Sequence, residues 1–160
     1  MTRNPKKPES NISKMRSIIT EEAKKTEKIA AELAGKFIQR RSKAALILAL
    51  EGELGAGKTT FIKGFSKALG VREKILSPTF VLIHMHKIQK SKFKKLYHVD
   101  AYRLKSGKDL LKLGVKEIFN NPEDIVLIEW ADRVKKIIPK NAVWIHFKHL
   151  GGNTRRITTK

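Results

Sequence analysis

No cysteine occurs anywhere in the sequence, which excludes disulfide bridges and thiolate metal centres and fits a reducing compartment. No apolar run approaches the length of a membrane span, and the basic N-terminus lacks the apolar block of a signal peptide, its best cluster being Ile18-Ile19. A cytoplasmic protein is the expectation. Acidic residues are scarce, 15 against 35 lysines and arginines, for a formal charge of +20. The excess is spread along the chain rather than gathered in one tail. It attracts RNA or another polyanion with a strong salt dependence, or it reflects a lysine-rich proteome. No internal repeat is visible. Apolar residues make up 41% of 160, enough for the core of a single domain and too many for a wholly unfolded chain.

What is present is dominated by one segment, Gly52-Glu53-Leu54-Gly55-Ala56-Gly57-Lys58-Thr59, the full spelling of a phosphate-binding loop. It follows the apolar run Ala44–Leu50 and precedes a stretch of helical periodicity, the strand–turn–helix context the motif requires. The glycines let successive N–H groups point into one concavity, and the new helix adds its positive end. Lys58 can reach the β- and γ-phosphates, and the Thr59 hydroxyl can ligate Mg²⁺. A glycine-rich turn with a chance lysine is the bland alternative, and the flanking elements weigh against it.

Residues 1–17 read as a basic, unordered tail and 18–160 as one domain. Thr20, with Glu21 and Glu22 behind it, resembles an N-cap, and Ile29, Leu33, Phe37 and Ile38 place an amphipathic helix over 20–40. Strand 44–50 and helix 59–69 follow, the helix ended by Gly70. Segments 80–86 and 92–99 form a hairpin around a lysine-rich tip. Short helices over 108–119 break at Gly114, and 125–128 is a buried strand. Segments 142–148 and 155–159 pair across Gly151-Gly152. The fold class is α/β: a phosphate-loop NTPase-like three-layer sandwich, its sheet partly parallel with antiparallel edge strands.

A nucleotide loop needs carboxylates to complete its Mg²⁺ shell and to order water. In open α/β sheets such groups follow the carboxyl ends of strands. Glu129, after Ile125-Val126-Leu127-Ile128, is the stronger Mg²⁺ candidate, and Asp100, after Leu96-Tyr97-His98-Val99, a candidate for ordering water. Ser77-Pro78-Thr79-Phe80 is either a γ-phosphate-sensing segment or a proline turn. Arg103 either stabilises phosphate charge or is solvated, and Trp130 is either core or partner-facing. His84 and His86 share a strand face without a third ligand at convincing spacing, so a histidine metal site is rejected. The five lysines over 87–95 read as solvated charge, with contact to RNA phosphates the minority reading.

These landmarks in order resemble the TsaE family of small ATPases of bacterial tRNA threonylcarbamoyladenosine synthesis. The resemblance covers 18–160 and rests on Leu50 to Thr60, Ser77 to Phe80, Tyr97-His98-Val99-Asp100-Ala101-Tyr102-Arg103-Leu104, Leu113-Gly114 and Leu127-Ile128-Glu129-Trp130. It implies ATP and Mg²⁺ as cofactors, with TsaD and TsaB as protein partners and hydrolysis resetting their complex. Tied to the matched motifs, it implies that Glu53, Leu54, Gly55, Ala56, Gly57, Lys58, Thr59 and Thr60 hold the phosphates. Thr59 and Glu129 bind Mg²⁺, and Lys58, Asp100 and Glu129 serve catalysis. Ser77, Pro78, Thr79, Phe80, Arg103 and Trp130 form a switch or partner-facing set, and Thr26 lies near the adenine. Ala131 departs from the proline or serine that usually follows the family's Glu-Trp pair, and the charge is no family hallmark. A small-molecule kinase and a basic RNA-binding module with a vestigial nucleotide site are the competing readings. The lack of an Asn-Lys-x-Asp segment favours ATP over GTP.

Overall fold

A computed structural model describes residues 16–76 and 81–160. The chain runs β1 (Arg16–Thr20), α1 (Ala23–Phe37), β2 (Leu46–Gly52), α2 (Lys58–Ala68), β3 (Ile83–Lys87), β4 (Lys95–Asp100), α3 (Lys108–Lys112), α4 (Val115–Phe119) and β5 (Asp124–Glu129). A 3₁₀ segment (Ala131–Ile137), β6 (Val143–Gly151) and β7 (Thr154–Thr159) complete it. One seven-stranded sheet has the order β1-β7-β6-β2-β5-β4-β3. Its middle, β6-β2-β5-β4, is parallel. The flanking pairs β1–β7, β6–β7 and β3–β4 are antiparallel.

Strand β2 shows why its sequence is an unbroken apolar run from Leu46 to Leu50. Leu46, Leu48 and Leu50 enter one core with Ala30, Phe61, Ile62 and Phe65 of α1 and α2. The alternate residues Ile47 and Ala49 enter a second core with Leu110, Val115 and Val134 on the opposite face. A strand covered on both sides has no polar face to present. The helices thus form two outer layers, α1 with α2 and α3 with α4, around the sheet. Among the described residues no helix is long and apolar enough to cross a membrane.

Helices α1 and α2 approach closely because both present small residues. Ala30 and Ala34 face the core, and a Cβ at Gly64 would lie 2.4 Å from the carbonyl oxygen of Glu27. That obstacle is backbone, which cannot swing aside. Gly64→Ala is therefore expected to lose about 1–3 kcal/mol despite alanine's better helix propensity, a Tm fall of a few degrees by calorimetry. A rise in Tm would show that the helices slide freely at this crossing.

Several boundaries differ from the sequence expectation. Thr20 is no helix cap: it ends β1 opposite Arg155, and its buried hydroxyl bonds that of Thr26 at 2.9 Å. The helix starts three residues later behind Glu22, an extended residue making no side-chain cap bond. Residues 16–20 carry one short apolar pair, and their strand exists only because β7 supplies a partner distant in sequence. The first hairpin strand starts at Ile83, later than the expected 80. The 3₁₀ segment was not anticipated.

Asp124 opens β5 almost wholly buried, and its Oδ1 has no hydrogen-bond partner among the described residues. Burial pushes its carboxyl above the ordinary value, partly offset by Lys95. A raised folded-state value means that ionisation opposes folding, a penalty that is absent below the unfolded value, builds as pH climbs past it and is complete above the folded one. Asp124→Asn is expected to raise Tm at neutral pH, with the gain disappearing below about pH 4. A gain equal at both pH values would assign the effect to packing.

Candidate active site

The end of β2 turns into α2 through a loop that only glycine can follow. Gly55 and Gly57 have φ of 76° and 102°, the left-handed region where side chains are strained. At Gly57 a Cβ would also come within 2.7 Å of Arg155 Nη1. Beyond it, Lys58 and Thr59 open α2. Lys58 is 5% exposed, and its Nζ donates to the carbonyl oxygens of Gly52 (2.5 Å) and Glu53 (2.9 Å). Nζ also stands 4.0 Å from the centroid of Trp130, a cation–π contact. Burial pushes Lys58 below the ordinary lysine value, while Glu129, Asp132, Asp100 and Glu53 oppose that shift.

Parallel pairing brings the two strand-end carboxylates side by side, since Asp100 of β4 is the register partner of Glu129 of β5. Glu129 is buried at 2% exposure, and its Oε1 accepts a 2.5 Å hydrogen bond from the Thr59 hydroxyl. Its other oxygen, Oε2, lies 3.1 Å from Nε2 of the fully buried His98. Facing a carboxylate, that ring nitrogen carries the proton. Asp100 Oδ1 accepts from the backbone N–H of Tyr102 at 2.9 Å, which fixes the carboxylate at the rim.

Trp130 is the sole non-glycine residue at positive φ (57°) among the described residues. A bulky side chain there costs on the order of 1–3 kcal/mol, a strain that clusters at functional sites. The turn lays the indole over Lys58 and against Tyr102, with ring centroids 4.9 Å apart. Arg133 covers both rings at 5.2 and 5.5 Å.

These groups surround a cavity of about 370 Å³ whose lining includes Gly57, Lys58, Thr59, Asp100, Glu129 and Arg155. Leu54, Gly55, Thr60 and Trp130 also line it, while Glu53 and Ala56 do not. Glu53 instead accepts from the backbone of His149 at 3.3 Å. Thr26 lies away from the lining, buried with its hydroxyl on Thr20, and Ala23 at the start of the same helix is the residue that reaches the cavity. Arg103 is exposed and outside the lining. Ser77, Pro78, Thr79 and Phe80 lie outside the described residues.

Sequence reading passed over three contributors. Nothing local marks Arg155, since its approach to Gly57 depends on β7 docking beside β6. The sequence marks His98 only as part of a strand, and Tyr102 only as part of a motif. The Arg155 guanidinium is largely buried beside the loop, and its Nε has no partner among the described residues.

The whole arrangement is set within a known sequence pattern. The profile described as "Threonylcarbamoyl adenosine biosynthesis protein TsaE" matches residues 20–157. The chain belongs to the TsaE family. It is 37% identical to the tRNA threonylcarbamoyladenosine biosynthesis protein TsaE of Bacillus subtilis, over 91% of this chain and 83% of that protein. The namesake of Treponema pallidum is 36% identical over 78% of this chain and 88% of its own length. The crystal structure of Bacillus subtilis YdiB superposes with a TM-score of 0.69 at 32% identity, covering 91% of this chain and 84% of that one. Every cavity residue named above falls inside the TsaE match, Arg155 at its far end included.

Proposed function

We propose that this TsaE-family chain is a Mg²⁺-dependent ATPase that serves threonylcarbamoyladenosine formation on tRNA, acting with TsaD and TsaB. The pathway comes from the names its relatives bear. The chemistry rests on one observation above the others: the Thr59 hydroxyl and the Glu129 carboxylate meet at 2.5 Å beside the Lys58 ammonium.

Hydroxyl and carboxylate oxygens are the hard donors Mg²⁺ prefers, and Mg²⁺ takes few protein ligands when phosphates and water complete its shell. Thr59 and Glu129 would hold it. Bound there, Mg²⁺ neutralises charge on the phosphate oxygens. The chain's own residues do the remainder. Backbone N–H groups of residues 53–60 cradle the phosphates, and Lys58 exchanges its loop carbonyls for phosphate oxygens. Asp100, fixed by the Tyr102 N–H, accepts a hydrogen bond from the attacking water. His98 holds Glu129 in orientation from behind, and Arg155 supplies a second cation to the loop.

The test is ATP hydrolysis by the purified chain with and without Mg²⁺, alone and with TsaD and TsaB of the same organism. Slow, Mg²⁺-dependent turnover that rises with the partners is expected. Turnover indifferent to them would sink the partnership, and none under any condition would sink the ATPase reading.

A further inference from the structure

The parallel strands have a second pole, at their amino ends, far from the phosphate loop. There the segments leading into β2, β4, β5 and β6 border a cleft of about 490 Å³, larger than the nucleotide cavity and of nucleotide scale. Arg40, Arg41 and Lys92 line it together with Ser42, Phe93 and Asn141. Arg41 and Lys92 are exposed and Arg40 half-buried. The backbone holds the group together: Lys92 Nζ donates to the carbonyl oxygen of Arg40, bringing the hairpin tip onto the end of the α1 connection. None of the three cations has a carboxylate partner among the described residues. Glu123, the acid in the lining, is engaged by Lys94 at 2.8 Å.

We propose that this amino-terminal pole is a binding site for the phosphodiester backbone of RNA. Two guanidiniums and an ammonium without carboxylates suit a ligand carrying repeated negative charge, and guanidinium matches phosphate bidentately. Lys43 follows the lining residues Arg40 to Ser42 in the chain and is exposed, so the cations are several rather than one. Several cations suit a polymer better than a single small anion. Phe93 and Pro122 give the cleft an apolar part for a sugar or base edge. The concave shape disfavours a flat anionic bilayer, which cannot reach the floor. The net charge of +20 steers any polyanion inward. Because the site lies opposite the phosphate loop, RNA and nucleotide can occupy the chain together. The site stands whether or not the chain hydrolyses ATP.

The experiment is fluorescence-anisotropy titration of the full chain with labelled tRNA, without nucleotide, at several salt concentrations. The triple variant R40A/R41A/K92A is expected to bind at least about tenfold more weakly near 0.1 M salt, with a log–log salt slope shallower by about two. The control K28A/K63A/K67A removes as much charge from the exposed faces of α1 and α2 and is expected to bind within about twofold of the parent chain. Unaltered Tm and ATP binding in both variants establish folding. Should the triple variant prove unstable, the single exchange Arg41→Glu, at an exposed side chain, carries the test with a smaller loss. Equal losses in variant and control would mean diffuse charge and overturn the site, as would unchanged affinity in R40A/R41A/K92A. Phosphatidylserine vesicles that bind the parent chain and not the triple variant, while tRNA binds both alike, would also overturn it in favour of a membrane.

Discussion

Exchange of Glu129 for glutamine is expected to lower ATP turnover about a hundred-fold or more while nucleotide binding falls less than about tenfold. Glutamine keeps the volume of a side chain that is 2% exposed, and its amide can still meet the Thr59 hydroxyl and His98 Nε2. What it loses is the charge that would complete a Mg²⁺ shell. Alanine is a poorer probe. It would strand the buried His98, whose Nδ1 already lacks a partner among the described residues, so lost activity would be mixed with lost stability. Single-turnover hydrolysis and nucleotide titration of Glu129→Gln, with Tm measured alongside, separate the two effects. Near-normal turnover would remove Glu129 from the Mg²⁺ role and leave Asp100 as the carboxylate to test.

The strand, glycine turn and helix around Lys58 could be read from the sequence because all their determinants are contiguous: strand, glycines, lysine and hydroxyl lie within about fifteen residues and fix one local geometry. The pairing of Glu129 with Asp100 was half legible. Each sits at the end of an apolar run, but their adjacency comes from β4 and β5 being parallel neighbours in register, which no local pattern encodes. The same limit explains the misreading of Thr20. Acids after a threonine look like a capped helix start, and the competing β1–β7 pairing is invisible until β7 is placed. His98 illustrates a different difficulty. Its sequence context is that of any strand residue, and only the fold turns its ring toward Glu129 rather than into the apolar core. The strand–helix alternation, by contrast, followed from burial. Strands covered on both faces must be continuously apolar where they are covered, and β2 is so from Leu46 to Leu50 and β5 from Ile125 to Ile128.

Lys58→Ala is expected to weaken ATP binding by about ten- to a hundred-fold, the loss of one to two charge-assisted hydrogen bonds to phosphate. Its effect on stability should be small, because two contributions oppose each other. The loop carbonyls of Gly52 and Glu53 lose a donor, while the fold is relieved of desolvating an ammonium that burial already pushes below its ordinary value. The contact with Trp130 supplies a readout besides affinity. The ammonium lies 4.0 Å from the indole centroid, so a lysine that leaves the carbonyls for phosphate oxygens must also leave the ring. In a Trp144→Phe background, which makes Trp130 the lone tryptophan of the chain, ATP should change the emission of the Lys58-containing protein and leave that of Lys58→Ala nearly flat. An ATP-induced change of equal size in both would mean that the indole responds to some other motion of the loop. The strained left-handed turn at Trp130 then has a physical reason: it is the backbone conformation that carries the chain from the Mg²⁺ candidate Glu129 directly to a ring stacked on Lys58. Relaxing that turn would swing the indole off Lys58 and uncouple the two halves of the site.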